Sequence, residues 1–342
     1  MSKTKVIYQC NSCGHTSSKW TGKCIECGDW NTISEQIIST QKKENLFNFK
    51  VNPPKSLNEI STNTTKRIQI NDKEFNRVIG GGLVKGSVIL IGGEPGIGKS
   101  TLTLKIALSL RETVLYVAGE ESSEQIKMRS NRLNISNENC FIYNETLVSS
   151  ILKSSDKINP TLIIIDSIQT LYVDSIDAAP GSISQIRHST EQLIRYSKNK
   201  SIPIIIIGHI TKDGSIAGPK ILEHMVDTVL QFEGDKNHIY RIIRSIKNRF
   251  GSTNELGIYE MDNKGIHEVT SPSKMLISTN QEKLSGIALG CSMEGNRPIM
   301  IEAQALTSPA TYGNPQRSSN GLDLKRLNML LAVIEKRGGM KL

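Results

Sequence analysis

An α/β fold, with a mostly parallel sheet flanked by helices, is predicted by two features of the chain. Strand-length apolar runs alternate with helix-period segments through residues 75–235, the pattern of β-α units. The runs "SVILIGG", "TVLYVA", "TLIIID" and "PIIIIGH" are nearly all apolar, as strands buried on both faces are. After them "TVLQFEG", "HIYRIIRSIK" and "ELGIYEMD" follow one another closely. That spacing leaves no room for crossover helices and predicts an antiparallel extension of the sheet.

The length of 342 residues allows a large core plus one or two smaller modules. Hydrophobic residues make up 37% and charged residues 22%, which fits a folded soluble chain rather than a disordered one. No apolar run approaches the length that crosses a bilayer, and "MSKTKVIYQC" has no apolar leader core. A cytoplasmic protein with no membrane partner is expected. The net charge of +9 favours an anionic partner, nucleic acid first, although a lysine-rich composition alone produces the same sign.

Four of the six cysteines fall in the pattern Cys10-x2-Cys13-x10-Cys24-x2-Cys27. Two C-x-x-C-G turns converge four thiolates on one ion, which suits tetrahedral zinc; spacing alone does not distinguish iron. A segment this short buries little, so metal binding supplies its folding energy. Trp20 and Trp30 are expected to cover the metal with apolar surface. The knuckle is assigned to residues 1–32, and the polar, Pro53-Pro54-containing stretch 33–65 to a linker. Cys140 and Cys291 sit in apolar surroundings and are expected in the core.

The nucleotide-binding segment is Gly93-Glu94-Pro95-Gly96-Ile97-Gly98-Lys99-Ser100-Thr101, a G-x-x-x-x-G-K-S loop between a strand pattern and a helix pattern. Glycines let backbone amides approach phosphate oxygens, and the helix N-terminus adds its dipole. Lys99 is expected to reach the β- and γ-phosphates of ATP, and the Ser100 hydroxyl to ligate Mg2+. Asp166, at the end of "TLIIID", is expected beside the same magnesium ion. Glu120 and Glu121 follow the strand "TVLYVA"; a carboxylate there is placed to polarise the attacking water. His209 ends the strand "PIIIIGH" and is assigned no chemistry.

The stretch "IKNRFGSTNELG", residues 246–257, carries Lys247 and Arg249 among Asn, Gly, Ser and Thr residues. Those residue types break regular structure, so both cations are expected on an exposed loop within reach of an anion.

Taken together, the four-cysteine knuckle, "GEPGIGKST", "VLYVAGEES", "AAPGSISQIRH" and above all "KNRFG" at 247–251 resemble the RadA/Sms family of bacterial DNA-repair ATPases over nearly the whole chain. The resemblance implies a RecA-like ATPase core over residues 66–269. It also implies a ring-forming, hexameric enzyme that binds single-stranded and branched DNA and drives branch migration of recombination intermediates. Recombinase RecA and a replicative helicase are the protein partners it implies. Carried onto this chain, Lys99, Ser100 and Asp166 hold ATP and Mg2+, and Glu120 is the catalytic base. Lys247 and Arg249 couple hydrolysis to DNA, either through a neighbour's γ-phosphate or through DNA phosphates. The segment "TKDGSIAGPK", 211–220, resembles the family's first DNA-facing loop.

Residues 270–342 resemble the opening of the family's Lon-protease-like α+β domain, which continues further in relatives. A Ser–Lys dyad is not supported, so peptidase activity is not expected. The competing reading of the whole chain is a RecA-like switch ATPase acting on protein partners, which stimulation of hydrolysis by single-stranded DNA separates from a DNA motor.

Overall fold

The computed structural model describes residues 4–10, 15–39, 56, 67–209, 221–234, 239–278, 285–309, 313 and 316–340. The described chain divides into two compact units, Met1–Met275 with Cys291–Ile299, and Leu276–Gly290 with Met300–Leu342.

The first unit opens with β1 (Thr4–Cys10), β2 (Thr16–Ser17) and β3 (Ile33–Ser39), an antiparallel ribbon in the order β2-β1-β3. Next come α1 (Lys73–Val78), β4 (Val88–Gly93), α2 (Lys99–Ser109), β5 (Val114–Ala118), α3 (Ser123–Leu133) and β6 (Cys140–Tyr143). Then α4 (Val148–Ile158), β7 (Leu162–Asp166), α5 (Ile183–Lys200), β8 (Ile204–His209) and α6 (Ile221–Met225) complete the alternating part. The strands β9 (Thr228–Glu233), β10 (Tyr240–Asn248), β11 (Leu256–Asp262) and β12 (Gly265–Glu268) follow without a crossover helix.

All nine strands β4–β12 form one sheet, ordered β12-β11-β10-β9-β4-β8-β7-β5-β6. From β9 through β6 every neighbour is parallel; β10 and β11 add antiparallel strands at one side, as the spacing predicts, and β12, which the sequence did not announce, extends them. The apolar runs are buried on both faces. Ile164, Ile205 and Tyr116 pack with α1 and α2 residues Phe75, Leu102 and Ile106; Ile163, Ile165 and Ile204 pack on the other side with Ile151 and Leu193. Each fully buried Ile or Leu contributes about 1.5–3 kcal/mol, which fixes the strand register against slippage.

Helix starts are set by side chains. Asp72 accepts the Phe75 N–H of α1, and Ser182 caps α5. Ser122 and Gln125 form a reciprocal capping box on α3. Such caps contribute about 1 kcal/mol each and fix where each helix begins relative to its strand.

After β12 the chain continues with α7 (Ser273–Leu276), β13 (Ile287–Glu294) and β14 (Arg297–Gln304), the last two pairing as a two-stranded sheet. In the second unit Asp323 caps α8 (Leu324–Gly338). Two expectations need correction: Cys140 is only partly buried against the core, and Cys291 lies exposed on β13. No residue of β13 is buried, so the apolar neighbours of Cys291 in sequence build no core around it.

Candidate nucleotide site and metal centre

Four strands end level with one another at a single edge of the sheet. The register pairs Gly93 of β4 with His209 of β8, and Ala118 of β5 with Asp166 of β7. Ligands of open parallel sheets bind at this carboxyl edge, and the segment 93–101 lies there. Gly98 holds the N-cap position of α2 at φ +113°, in the left-handed region, and a Cβ there would come 2.4 Å from Met261 Cε. Only glycine fits. No side chain caps α2, so its first-turn N–H groups stay open to an anion.

Lys99 begins α2 and is only 4% exposed. Its Nζ donates to the carbonyls of Gly93 at 2.6 Å and Glu94 at 2.8 Å, so the ammonium lies back across its own loop. Burial lowers its pKa to about 8, against the opposing pull of Asp166, Glu120 and Glu94. From β10, Arg241 donates through Nε to the Ile97 carbonyl at 3.2 Å and braces the loop from behind.

Asp166 accepts from the Tyr116 hydroxyl at 2.6 Å and from Ser100. Burial raises its pKa; those two hydrogen bonds pull it back, and Glu120 and Glu121 push it further up. A hydroxyl and a carboxylate that meet in this way form the oxygen-donor pair a hard divalent cation takes, so Ser100 and Asp166 fit Mg2+.

Glu120 and Glu121 part company. Glu121 is ion-paired with Arg129 of α3. The Glu120 carboxylate instead turns to the strand ends, accepting from Ser167 Oγ at 2.5 Å and lying 3.4 Å from His209 Nε2. Tyr116, Ser167 and Arg241 were not singled out in the sequence. Ser167 directly follows Asp166, which offered a signal; Tyr116 and Arg241 reach the site from strands whose neighbours the sequence does not name.

In the ribbon, Cys10, Cys24 and Cys27 place their sulfurs within 4.8 Å of one another, with Cys10 and Cys27 at 3.7 Å. Thiolates on a tetrahedral zinc ion, with Zn–S near 2.3 Å, stand about 3.8 Å apart, so the three fit zinc. Cys13 lies outside the described residues, as does the 211–220 segment.

Two family models match: a rubredoxin metal-binding domain over residues 8–35, and a KaiC ATPase over residues 67–141. The DNA repair protein RadA of Bacillus subtilis is 48% identical over the whole chain, which spans 76% of that relative. The chain belongs to the RadA family. RadA of Listeria monocytogenes is 46% identical, over 99% of this chain and 76% of its own. Among solved structures, a KaiC-like protein of Pyrococcus horikoshii covers 60% of this chain and 99% of its own at 20% identity, with a TM-score of 0.49. The chain is thus an ATP-hydrolysing member of the RadA family with a zinc ribbon, and among the described residues no helix is long and apolar enough to cross a membrane.

The RadA-family signature "KNRFG" departs from the expected loop. Lys247 and Asn248 are the last residues of β10, paired with Val229 and Thr228 of β9 across a bulge after Ser245. Lys247 Nζ donates to the carbonyls of Glu223, His224 and Val226 at 2.7, 3.1 and 2.8 Å, closing the C-terminal end of α6. Burial there lowers its pKa, helped by the charge of Arg249. Cations are favoured at this end of a helix, and the orphan carbonyls need donors.

Arg249 lies past the strand end and is half-exposed, with Nη1 3.2 Å from Asp227 Oδ1. The pairing of Ile89 with Thr228 puts both cations at the amino edge of the parallel strands, whereas segment 93–101 lies at the other edge. Four residues of strand separate the two levels on β4, about 13 Å. Neither cation serves the nucleotide loop of its own chain.

Proposed function

We propose that this chain is a DNA-dependent ATPase that binds single-stranded DNA and drives branch migration of recombination intermediates. Residues 66–269 are the ATPase domain and 270–342 a partial Lon-protease-like domain; the zinc-binding knuckle, expected over 1–32, runs on through β3, whose Ile33–Ser39 pair with β1, so the linker expected over 33–65 begins only after Ser39. The observation that carries the reading is the placement of two sets of residues at opposite ends of the same strands. Lys99, Ser100, Asp166 and Glu120 gather at the carboxyl edge, and Lys247 at the end of β10 and Arg249 just past it stand level with the amino edge, two strands from β4.

At the nucleotide end, backbone N–H groups of the 93–101 loop, Pro95 having none, and the Lys99 ammonium hold the phosphates of ATP, the lysine exchanging its two carbonyl partners for phosphate oxygens. Ser100 and Asp166 would hold Mg2+, which would supply positive charge against the phosphates. Glu120 orients the attacking water and takes its proton, with Ser167 and His209 fixing the carboxylate. Cys10, Cys13, Cys24 and Cys27 hold zinc, whose binding stabilises the ribbon.

At the other end, Lys247 and Arg249 couple hydrolysis to DNA. Their position suits contact across a subunit boundary or with DNA phosphates, in a hexameric ring working in the cytoplasm beside a recombinase and a replicative helicase. The test is ATP turnover with and without an oligo-dT strand. Turnover rises with DNA, and Lys247→Ala keeps basal turnover within about threefold while losing the stimulation. Absence of stimulation in the unaltered chain overturns the DNA reading in favour of a switch ATPase acting on proteins. Loss of ATP affinity as the first effect of Lys247→Ala makes this segment a phosphate clamp instead.

The lowered pKa of Lys99 gives a pH signature. With a free-state pKa of about 8, raised once phosphate is bound, the lysine takes up a proton on ATP binding above that pH. ATP affinity is therefore flat well below pH 8 and falls by up to about tenfold per unit above it, until the bound-state pKa is reached. Titration of a fluorescent ATP analogue from pH 6.5 to pH 9.5 checks this; an affinity independent of pH across that range contradicts it. Without nucleotide the sign reverses. The folded-state pKa lies below the unfolded 10.5, so the stability gained from neutral Lys99 is present at high pH and is lost as pH falls through about 8.

A further inference from the structure

The two tryptophans of the chain, Trp20 and Trp30, expected as an apolar cover for the metal centre, are 59% and 69% exposed. A ribbon of this size has no apolar interior to receive an indole, and its thiolate cluster forms the core instead. Between the rings lies Gly22. A Cβ at this glycine would sit 3.8 Å from Trp20 Cη2 and 3.8 Å from Trp30 Cζ3, so the two ring edges face one gap and are at most twice that distance apart. Gly22 does not take a left-handed conformation, so its backbone makes no demand for glycine; the missing side chain keeps the gap clear.

The gap is held open by backbone. Asn31 N–H donates to the Gly22 carbonyl at 2.9 Å, and Lys23 and Trp30 face each other in an antiparallel bridge. Cys24, one of the clustered thiols, follows immediately and pairs with Asp29. The metal site and the two rings therefore share one rigid turn, and a ligand between the rings meets little ordering cost.

Two cations flank the aromatic pair. Lys23 places its Nζ 5.6 Å from the centre of the Trp30 ring, and exposed Lys19 adjoins Trp20. The nearby acids are Glu26, which faces His15 at 3.9 Å, and Asp29. Exposed indoles with ammonium groups beside them are how proteins hold unpaired bases without reading sequence: rings take bases and lysines take phosphates.

We propose that Trp20 and Trp30, with Gly22 between them and Lys19 and Lys23 beside them, form a stacking platform for one or two bases of single-stranded DNA. This rests on the DNA reading above and adds a contact outside the ATPase domain. It places a grip on the strand in a module joined to the motor by a linker, so the ribbon can hold a strand end while the motor advances.

Because both tryptophans belong to the platform, the tryptophan emission of the full zinc-loaded chain, excited at wavelengths tyrosine does not absorb, reports on this site alone. Oligo-dT is titrated while its anisotropy, through a terminal dye, and tryptophan emission with unlabelled strand are followed in parallel. Emission is quenched with the half-saturation of the anisotropy change. Replacing both rings by Ala weakens binding on the order of tenfold or more, and replacing both by Phe, which keeps a π-face, restores most of it. Gly22→Leu fills the gap and reproduces the loss with both indoles and all cysteines in place; zinc content measured on each variant verifies the fold.

If anisotropy rises while emission stays unchanged, the DNA is held elsewhere and the platform is overturned while the DNA reading stands. If neither signal moves, both readings fall together. If a proline-rich peptide quenches the emission and oligo-dT does not, the surface docks protein and the proposal is wrong.

Discussion

Replacing Glu120 by glutamine lowers ATP turnover by about 10² to 10⁴-fold and leaves ATP affinity nearly unchanged. Glutamine keeps the length of the side chain and an oxygen that still accepts from Ser167. What it loses is the ability to take a proton from water. Glu121 cannot step in from its present place, because Arg129 holds it on the far side of the turn. Asp166 is no substitute either, since it is assigned with Ser100 to Mg2+ and Tyr116 already donates to its Oδ2. Lys99→Ala forms the contrast: it removes the ammonium that meets the phosphates, so affinity and turnover fall together. Steady-state hydrolysis, with binding of a fluorescent ATP analogue measured on the same preparations, separates the two patterns. A Glu120→Gln chain that turns over within about tenfold of the original places the base elsewhere.

The parts legible in the sequence were those written in contiguous residues. The 93–101 loop, the four apolar strands and the close run of β9 to β11 each carry their own pattern, and the structure places them as that pattern predicts. Partners across the sheet were not legible. Tyr116 meets Asp166, and Arg241 meets Ile97, only because β5 lies beside β7 and β10 lies two strands from β4, an order no local pattern encodes. The 246–257 stretch failed for a different reason. Turn-forming residues argued for a loop, yet pairing with β9 carries the strand through Lys247 to Asn248, tertiary contact overriding local preference. Exposure of Trp20 and Trp30 was illegible too, since a large aromatic is ordinarily a core residue and only a metal-centred ribbon gives it nowhere to go.

Asp227→Ala is expected to destabilise the fold by about 2–4 kcal/mol, the largest stability effect at the amino edge. Asp227 is buried, and its Oδ2 accepts the N–H of Val88, the first residue of β4, at 3.1 Å. Its Oδ1 meets Lys198 at 3.4 Å and Arg249 at 3.2 Å. Both cations are 53% exposed in their side chains, so water replaces most of what either loses, and each pair contributes less than about 1 kcal/mol. Val88 has no such recourse: it is fully buried, and its orphaned N–H accounts for about 1–3 kcal/mol. Asp227→Asn keeps an acceptor for Val88 and so costs less than the alanine, and Arg249→Ala costs least. Urea unfolding of the three variants tests that order. An Arg249→Ala chain as unstable as Asp227→Ala would make the ion pair, rather than the buried amide, the anchor of this edge. With the expected order, Arg249 contributes little to folding, and any loss of DNA-stimulated turnover on its removal belongs to what the guanidinium touches in the working assembly.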